Sequence, residues 1–136
     1  MKLLRWDNDE VIFEYDCETI KELVEKAVKQ KVSLFRANLR EADLREANLY
    51  GANLYEANLY GADLFGAKGV VSFQAGEYNR TCIGYFKEIP MFNIGCFKGT
   101  KEESIEAIRK KYGIGSSYEK LIEIYSEILI KMKKDK

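Results

Sequence analysis

The feature that most constrains this chain is a five-residue repeat between residues 37 and 66. Six consecutive copies follow the pattern Ala-(Asn/Asp)-Leu-x-x, and Val32 to Arg36 forms a degenerate copy in front of them. On an α-helix, successive leucines of this repeat would lie about 140° apart and would form no apolar stripe. On a flat strand, they would alternate between the two faces. The repeat therefore excludes a long amphipathic helix and a single flat sheet.

Both conflicts disappear if the chain bends by roughly a right angle once per repeat. Every leucine then points to a common axis, and four repeats close one coil of a square β-solenoid whose coils stack about 4.8 Å apart. The alanine two residues before each leucine also points inward. The Asn or Asp between them points outward beside the bend, where it can hydrogen-bond nearby backbone.

The same geometry predicts that residues twenty apart lie one above the other. On the inside, this register stacks leucine on leucine. On the outside, the predicted neighbours are Arg36 with Glu56, Arg40 with Tyr60 and Arg45 with Phe65, an ion pair and two cation–π contacts.

The Ala-(Asn/Asp)-Leu-x-x run, taken from Val32 to Gly66, resembles the pentapeptide-repeat family. The resemblance implies a short right-handed quadrilateral β-solenoid, here of under two coils. It covers about a quarter of the chain. It implies little about function, because such repeats are scaffolds used for several purposes.

The flanking segments predict caps for the two ends of the solenoid. Residues 1–31 are typical of a β-hairpin followed by a helix that starts with a capping box at Thr19. Residues 69–136 predict a three-stranded antiparallel sheet and two helices. The predicted strands are Val70 to Gln74, Thr81 to Phe86 and Met91 to Phe97. We therefore expect a mainly β fold with α, divided into residues 1–31, 32–68 and 69–136.

The two C-terminal helices have clear sequence signals. A capping box at Thr100 opens the first, and Gly113 is its predicted C-cap. The last helix carries an apolar stripe that predicts core packing, with a dimer face as the alternative. The region from roughly Val71 to Ile130 also resembles the tail of small pentapeptide-repeat proteins of bacteriophages and prophages, through Ser72-Phe73-Gln74 and Ile94-Gly95-Cys96-Phe97. That resemblance implies a viral or mobile-element origin and no activity.

Composition restricts the chemistry open to this chain. The 22 basic and 22 acidic side chains balance and are evenly spread, so direct nucleic-acid binding is not expected. There is no signal peptide and no apolar run long enough to span a bilayer, so we expect a cytoplasmic protein without a membrane partner. The chain has no histidine and its three cysteines show no CxxC spacing. We therefore expect no metal, no cofactor and no enzymatic activity.

Two groups of residues are candidate sites. The first is an aromatic girdle on the second coil that either packs under flanking elements or binds a partner; its members are Tyr50, Tyr55, Tyr60 and Phe65. The second is a segment whose rings could stack a base while Arg and Asn hold phosphate or ribose, although aromatic residues in strands commonly serve packing. Its members are Phe73, Gln74, Tyr78, Asn79, Arg80 and Tyr85.

Composition and spacing predict a non-catalytic binding scaffold. The resemblance to proteins of phages and prophages implies a phage or prophage origin and a protein that inhibits or sequesters a host component, either a protein or a nucleotide signal of host defence. One alternative is a structural homo-oligomeric scaffold. Another, implied by the family resemblance, is a DNA mimic that inhibits topoisomerases. A stack of about 10 Å with a net charge of −1 for residues 32–68 opposes the mimic, because duplex DNA carries one negative charge about every 1.7 Å of its axis.

Overall fold

A computed structural model describes residues 1–75, 80–86, 88–94 and 97–134. The side chains of Arg80, Thr81 and Lys134 lie outside this description. The described chain is a mixed β and α fold with three helices and antiparallel sheets. It divides into two compact units, residues 1–68 and residues 69–136.

The first unit begins with a β-hairpin and a helix. Strands β1 (Lys2–Leu4) and β2 (Val11–Glu14) pair antiparallel. Helix α1 (Ile20–Lys29) follows, and the hydroxyl of Thr19 caps it by accepting a hydrogen bond from the backbone N–H of Glu22 at 3.1 Å. The helix is amphipathic and buries one face. The buried residues of α1 are Leu23, Val24 and Ala27.

The repeats of the first unit are held by backbone hydrogen bonds between residues about twenty apart. The N–H groups of Leu34 and Leu39 donate to the carbonyls of Asn53 and Asn58 at 3.0 and 2.9 Å, and the following repeats continue the series. Isolated parallel bridges pair Asn38 with Asn58, Asp43 with Asp63 and Asn48 with Lys68. The predicted stacking of residues twenty apart is thereby confirmed. No named strand falls among residues 33–68, and the right-handed four-sided solenoid stays a prediction.

Each repeat contains one tight turn, which accounts for the five-residue period. The carbonyl of each leucine accepts a hydrogen bond from the N–H of the alanine three residues later, at 2.9–3.2 Å. The third residue of every turn has a positive φ between 56° and 77°, as in type II turns. These residues are Arg36, Glu41, Glu46, Gly51, Glu56, Gly61 and Gly66.

The Asn or Asp of each repeat stabilises the next bend. Its side-chain oxygen accepts a hydrogen bond from the backbone N–H two residues later, at 3.0–3.3 Å. The inward leucines from Leu34 to Leu54 are at most 1% exposed. Both observations match the geometry derived from the repeat alone.

The second unit contains a four-stranded antiparallel sheet in the order β3-β4-β5-β6. The strands are β3 (Val70–Ala75), β4 (Arg80–Phe86), β5 (Pro90–Ile94) and β6 (Phe97–Thr100). The predicted three-stranded sheet is therefore wrong. The segment predicted as one strand, Met91 to Phe97, belongs to two antiparallel strands that pair Ile94 with Phe97. An apolar run has the same pattern whether it continues straight or reverses, so only the pairing reveals the extra strand.

Helices α2 (Lys101–Tyr112) and α3 (Ser117–Lys134) complete the second unit. The capping box of α2 is present, with Thr100 and Glu103 exchanging hydrogen bonds at 3.0 and 3.1 Å, and Gly113 is the C-cap. The helices and one face of the sheet share a single apolar cluster. Its buried members are Phe73, Ala75, Cys82, Phe92, Ile94, Ile108, Tyr118, Ile122 and Leu129.

Candidate interaction surface

The four aromatic side chains of the predicted girdle occupy equivalent positions in consecutive repeats but differ in exposure. Tyr60 is 69% exposed and Phe65 is 78% exposed. Tyr50 and Tyr55 are half-buried. The structure therefore divides the girdle into a covered part and an open part.

Tyr55 is covered by Phe35, an aromatic residue of the first unit that two arginines flank. Its ring stacks on the ring of Phe35, with centroids 5.9 Å apart and planes 10° apart. The guanidinium groups of Arg5 and Arg36 lie 5.2 and 5.0 Å from the centroid of Phe35. These contacts stabilise Tyr55 as part of the packing rather than as a free contact surface.

Arg36 connects the N-terminal hairpin to the repeats. Its Nε donates to Glu56 at 2.6 Å and its Nη1 to Asp7 at 2.8 Å. The indole Nε1 of Trp6 donates to the carbonyl of Glu56 at 2.7 Å. The hydrogen bonds to the carboxylates of Glu56 and Asp7 raise the pKa of Arg36, and the hydrogen bond from Arg36 lowers the pKa of Asp7. The pair of Arg36 with Glu56 was predicted; the partners from the hairpin turn were missed, because no local pattern reports a contact 29 residues away.

The two exposed aromatic residues have different basic neighbours. The guanidinium of Arg40 lies 5.1 Å from the ring centroid of Tyr60, so that predicted cation–π contact is confirmed. Arg45, which was expected to lie over Phe65, instead makes two hydrogen bonds to Asp43 at 2.8 and 2.7 Å. They lower the pKa of Asp43 to about 2. A bidentate ion pair is stronger than a cation–π contact at an exposed position, and this difference decides the geometry.

Residues 40–46 and 60–66 together form what we call the Tyr60–Phe65 surface. Besides the two aromatic side chains it carries two arginines and four carboxylates. The carboxylates belong to Glu41, Asp43, Glu46 and Asp63, all of which are exposed. The surface therefore combines large apolar groups with an acidic surround, which suits a partner with basic groups around an apolar pocket.

The described members of the predicted ligand site do not lie together. Phe73 is 6% exposed in the core cluster, where its ring stacks on that of Tyr125 at 4.3 Å. Gln74 is exposed and Tyr85 is 1% exposed. Phe73 pairs with Cys82 across β3 and β4, and since Tyr85 lies three positions from Cys82, it projects from the opposite face of the sheet. Tyr78, Asn79 and the side chain of Arg80 lie outside the described residues.

A groove with a volume of about 690 Å³ runs along α2. It is lined by Lys101, Glu102, Ile105, Glu106, Arg109, Lys110, Ile114 and Glu123. Lys101 is paired with Glu123 at 2.8 Å, and Arg109 is paired with Glu119. Because its cations and carboxylates neutralise one another, the groove shows no preference for a charged ligand.

The described residues provide no other obvious chemistry. No cluster of three or more His, Cys, Asp or Glu side chains among them is placed to hold a metal ion. No helix within the described ranges combines the length and the apolar character needed to cross a membrane.

Comparison with known proteins identifies the repeats. Residues 33–68 match the family model of pentapeptide repeats in eight copies, one more than the seven counted from the sequence. No curated protein and no solved structure matches the chain. The matched residues make up about a quarter of the sequence. Residues 33–68 are therefore a segment of pentapeptide repeats.

Proposed function

We propose that this protein is a non-catalytic binding scaffold that attaches a protein partner through the Tyr60–Phe65 surface. The observation that carries the proposal is the exposure of Tyr60 and Phe65, at 69% and 78%. Their counterparts Tyr50 and Tyr55 are half-buried. Large exposed aromatic side chains are enriched at the centres of protein interfaces, where they contribute much of the binding free energy.

The scaffold in this proposal is a right-handed quadrilateral β-solenoid of under two coils. The hydrogen bonds between residues about twenty apart and the turn in every repeat support it. A bend every five residues puts Tyr60 and Phe65 on adjacent sides of the coil. A partner that spans the corner between those sides would contact both rings.

We take the partner to be a protein of a bacterial host cell that the chain inhibits or sequesters. This choice rests on the resemblance of the C-terminal part to proteins of phages and prophages. The acidic surround of the two rings favours a partner with basic groups around an apolar pocket. Sequestration of a nucleotide receives no support from the burial of Phe73 and Tyr85 on opposite faces of the sheet.

The double variant Tyr60→Ala/Phe65→Ala tests the proposal. Immobilised wild-type and variant proteins are incubated with a bacterial lysate, and the retained proteins are quantified by mass spectrometry. We expect a partner retained by the wild type to be lost from the double variant, because each interface aromatic contributes about tenfold or more in affinity. The matched control is Tyr15→Ala, which removes a tyrosine that is 39% exposed elsewhere in the same unit.

Two outcomes would contradict the proposal. Retention of the same proteins by the double variant would show that the surface is not the binding site. Native mass spectrometry that gave an oligomer for the wild type and a monomer for the double variant would show instead that the surface binds a second copy, as in the alternative of a homo-oligomeric scaffold. A circular dichroism spectrum unchanged by the substitutions is required in either case.

A further inference from the structure

The repeats end in a backbone edge whose counterpart earlier in the chain is fully paired. In the row of residues 34–49, N–H groups donate to carbonyls of the row of residues 53–68 at 2.8–3.1 Å. Four donors of the second row, each twenty residues after a bonded donor of the first, have no acceptor among the described residues. They are the N–H groups of Leu59, Gly61, Leu64 and Gly66. We call residues 57–66 the open edge.

Water reaches the open edge unevenly. Gly61 and Gly66 are exposed, whereas Leu64 is half-buried and Leu59 is only 6% exposed. Backbone N–H groups that are shielded from water are almost always paired in proteins. The open edge therefore favours a group that supplies carbonyl acceptors with the spacing of an extended chain.

The opposite edge of the repeats shows which group satisfies such a row. There the N–H of Asn38 donates to the carbonyl of Leu4 at 2.8 Å, and the N–H of Trp6 donates to the carbonyl of Arg36 at 2.9 Å. An antiparallel bridge lies between these two bonds. The group that pairs with this edge is thus an extended segment from outside the repeats.

Two glutamates lie over the glycines of the open edge. A Cβ atom placed on Gly61 would lie 3.0 Å from Cγ of Glu41, and one placed on Gly66 would lie 3.1 Å from Cγ of Glu46. Both glutamates are exposed. Neither carboxylate makes a hydrogen bond or an ion pair within the part of the chain that the structure describes. Each of the two glycines therefore has an unpaired carboxylate on the side chain next to it.

The charges around the open edge do not balance. The Tyr60–Phe65 surface has two arginines and four carboxylates, a net charge of −2. Both arginines are already in contact with other groups of the surface, so Glu41 and Glu46 are left to pair with cations of a partner. An extended segment with basic side chains complements both the row of N–H groups and the two carboxylates.

We propose that the open edge binds an extended basic segment of a partner protein by strand addition. Carbonyls of the segment accept hydrogen bonds from the unpaired N–H groups, and lysine or arginine side chains of the segment pair with Glu41 and Glu46. The inference rests on the proposed function, because the open edge overlaps the Tyr60–Phe65 surface, and it specifies the chemistry of the partner.

The probe is a synthetic peptide of two repeats, Ala-Asn-Leu-Tyr-Lys-Ala-Asn-Leu-Tyr-Lys, with lysine at the positions equivalent to Glu41 and Glu46. The peptide is titrated to millimolar concentration into the isotopically labelled full chain, and hydrogen exchange of the amides of Gly61 and Gly66 is followed by NMR. We expect exchange of both amides to slow by about tenfold or more at saturation, because new hydrogen bonds protect them. A peptide with glutamate in place of lysine should protect neither amide.

The variant Glu41→Gln/Glu46→Gln should weaken binding of the lysine peptide about fourfold, since an exposed ion pair contributes about twofold. The matched control is Glu14→Gln/Glu18→Gln, which removes the same charge from two exposed glutamates elsewhere in the first unit. The control should bind the lysine peptide like the wild type.

Absence of protection at millimolar lysine peptide would overturn the proposal. Equal protection by the glutamate peptide, or equal weakening in the two glutamine variants, would overturn it as well. Its failure is distinguishable from failure of the proposed function. If Tyr60→Ala/Phe65→Ala loses a lysate partner while the lysine peptide leaves the wild-type amides unprotected, the partner binds the two rings without strand addition.

Discussion

The two compact units of this chain, residues 1–68 and 69–136, are stabilised in different ways. In the repeats of the first unit, the same few backbone bonds recur every five residues, and each inward leucine occupies an equivalent position. In the second unit, the sheet and the helices meet at one cluster in which each side chain has its own neighbours, such as Phe73 between Tyr125 and Phe92. Stability is thus distributed over equivalent residues in one unit and concentrated in a few large side chains in the other.

The substitution Phe92→Ala should cause the largest loss of stability among the variants considered. A small loss would contradict the difference described between the two units. Phe92 is fully buried in the cluster of the second unit, so we expect a loss of about 4 kcal/mol in the free energy of unfolding. Urea unfolding followed by circular dichroism measures this loss. Phe65→Ala is the control and should change stability by less than about 0.5 kcal/mol, because Phe65 is 78% exposed. A loss below about 1 kcal/mol for Phe92→Ala would show that the cluster does not concentrate stability.

The next largest effect tests whether leucines at equivalent positions of the repeat contribute to the free energy of unfolding in proportion to their burial. Leu44→Ala should cost about 3 kcal/mol, because Leu44 is fully buried. Leu64, twenty residues later, is only half-buried, so Leu64→Ala should cost less. The fluorescence of Trp6, the one tryptophan of the chain, reports unfolding of the first unit. Equal losses of stability in Leu44→Ala and Leu64→Ala would mean that burial does not set the contribution of a repeat leucine.

A smaller loss of stability is expected for glycine substitutions in the turns of the repeats, where two variants distinguish backbone strain from steric contact. Gly51→Ala should cost about 1 kcal/mol, since its φ of 77° is unfavourable for alanine and nothing lies within 4 Å of the added Cβ. Gly61→Ala should cost more, because the new Cβ would also lie 3.0 Å from Cγ of Glu41. Thermal unfolding of the two variants makes the comparison. Identical midpoints would mean that the side chain of Glu41 moves aside freely.

The smallest effect is electrostatic and concerns Asp43 in the first unit. The hydrogen bonds from Arg45 lower the pKa of Asp43 from 3.8 to about 2 in the folded protein. A depressed folded-state pKa contributes stability that is present above the unfolded pKa and is lost as the pH falls through the folded pKa. We therefore expect the unfolding midpoint to fall between about pH 4 and about pH 2.

The variant Asp43→Asn should make the midpoint less dependent on pH over the same range. The substitution preserves the bend, because asparagine occupies the same position in four other repeats, where it accepts the same backbone hydrogen bond. Urea midpoints measured at several pH values provide the test. A pH dependence that is the same in both proteins would exclude Asp43 as a source of acid sensitivity.

The sequence predicted features that depend on neighbours along the chain or on the strict repeat. The caps at Thr19 and Thr100 follow from residues within one helical turn. The pairs of Arg36 with Glu56 and Arg40 with Tyr60 follow from the twenty-residue register. Each of these inferences used a fixed spacing that brings two positions side by side. The same register also predicted Arg45 over Phe65, which is wrong because Arg45 pairs with Asp43 instead.

Features that depend on where a strand reverses, on which face of a sheet a residue lies or on what covers a side chain were not predicted. Strand β6 was missed because the apolar run of residues 91–97 does not reveal that the chain reverses within it. The candidate ligand residues Phe73 and Tyr85 were grouped by chemistry, whereas strand register places them on opposite faces. The 82% exposure of Ile114 was not predicted, since an isolated isoleucine in a sequence does not show whether it is covered.

By itself, the sequence determined the repeat geometry, because a five-residue period is compatible with neither a straight helix nor a flat strand. Only the tertiary structure decided which equivalent side chains are exposed. Tyr55 and Tyr60 have the same place in the repeat, yet Phe35, flanked by Arg5 and Arg36, covers Tyr55, and Tyr60 is left open. Exposure is a property of everything that packs against a residue, so a local pattern cannot specify it.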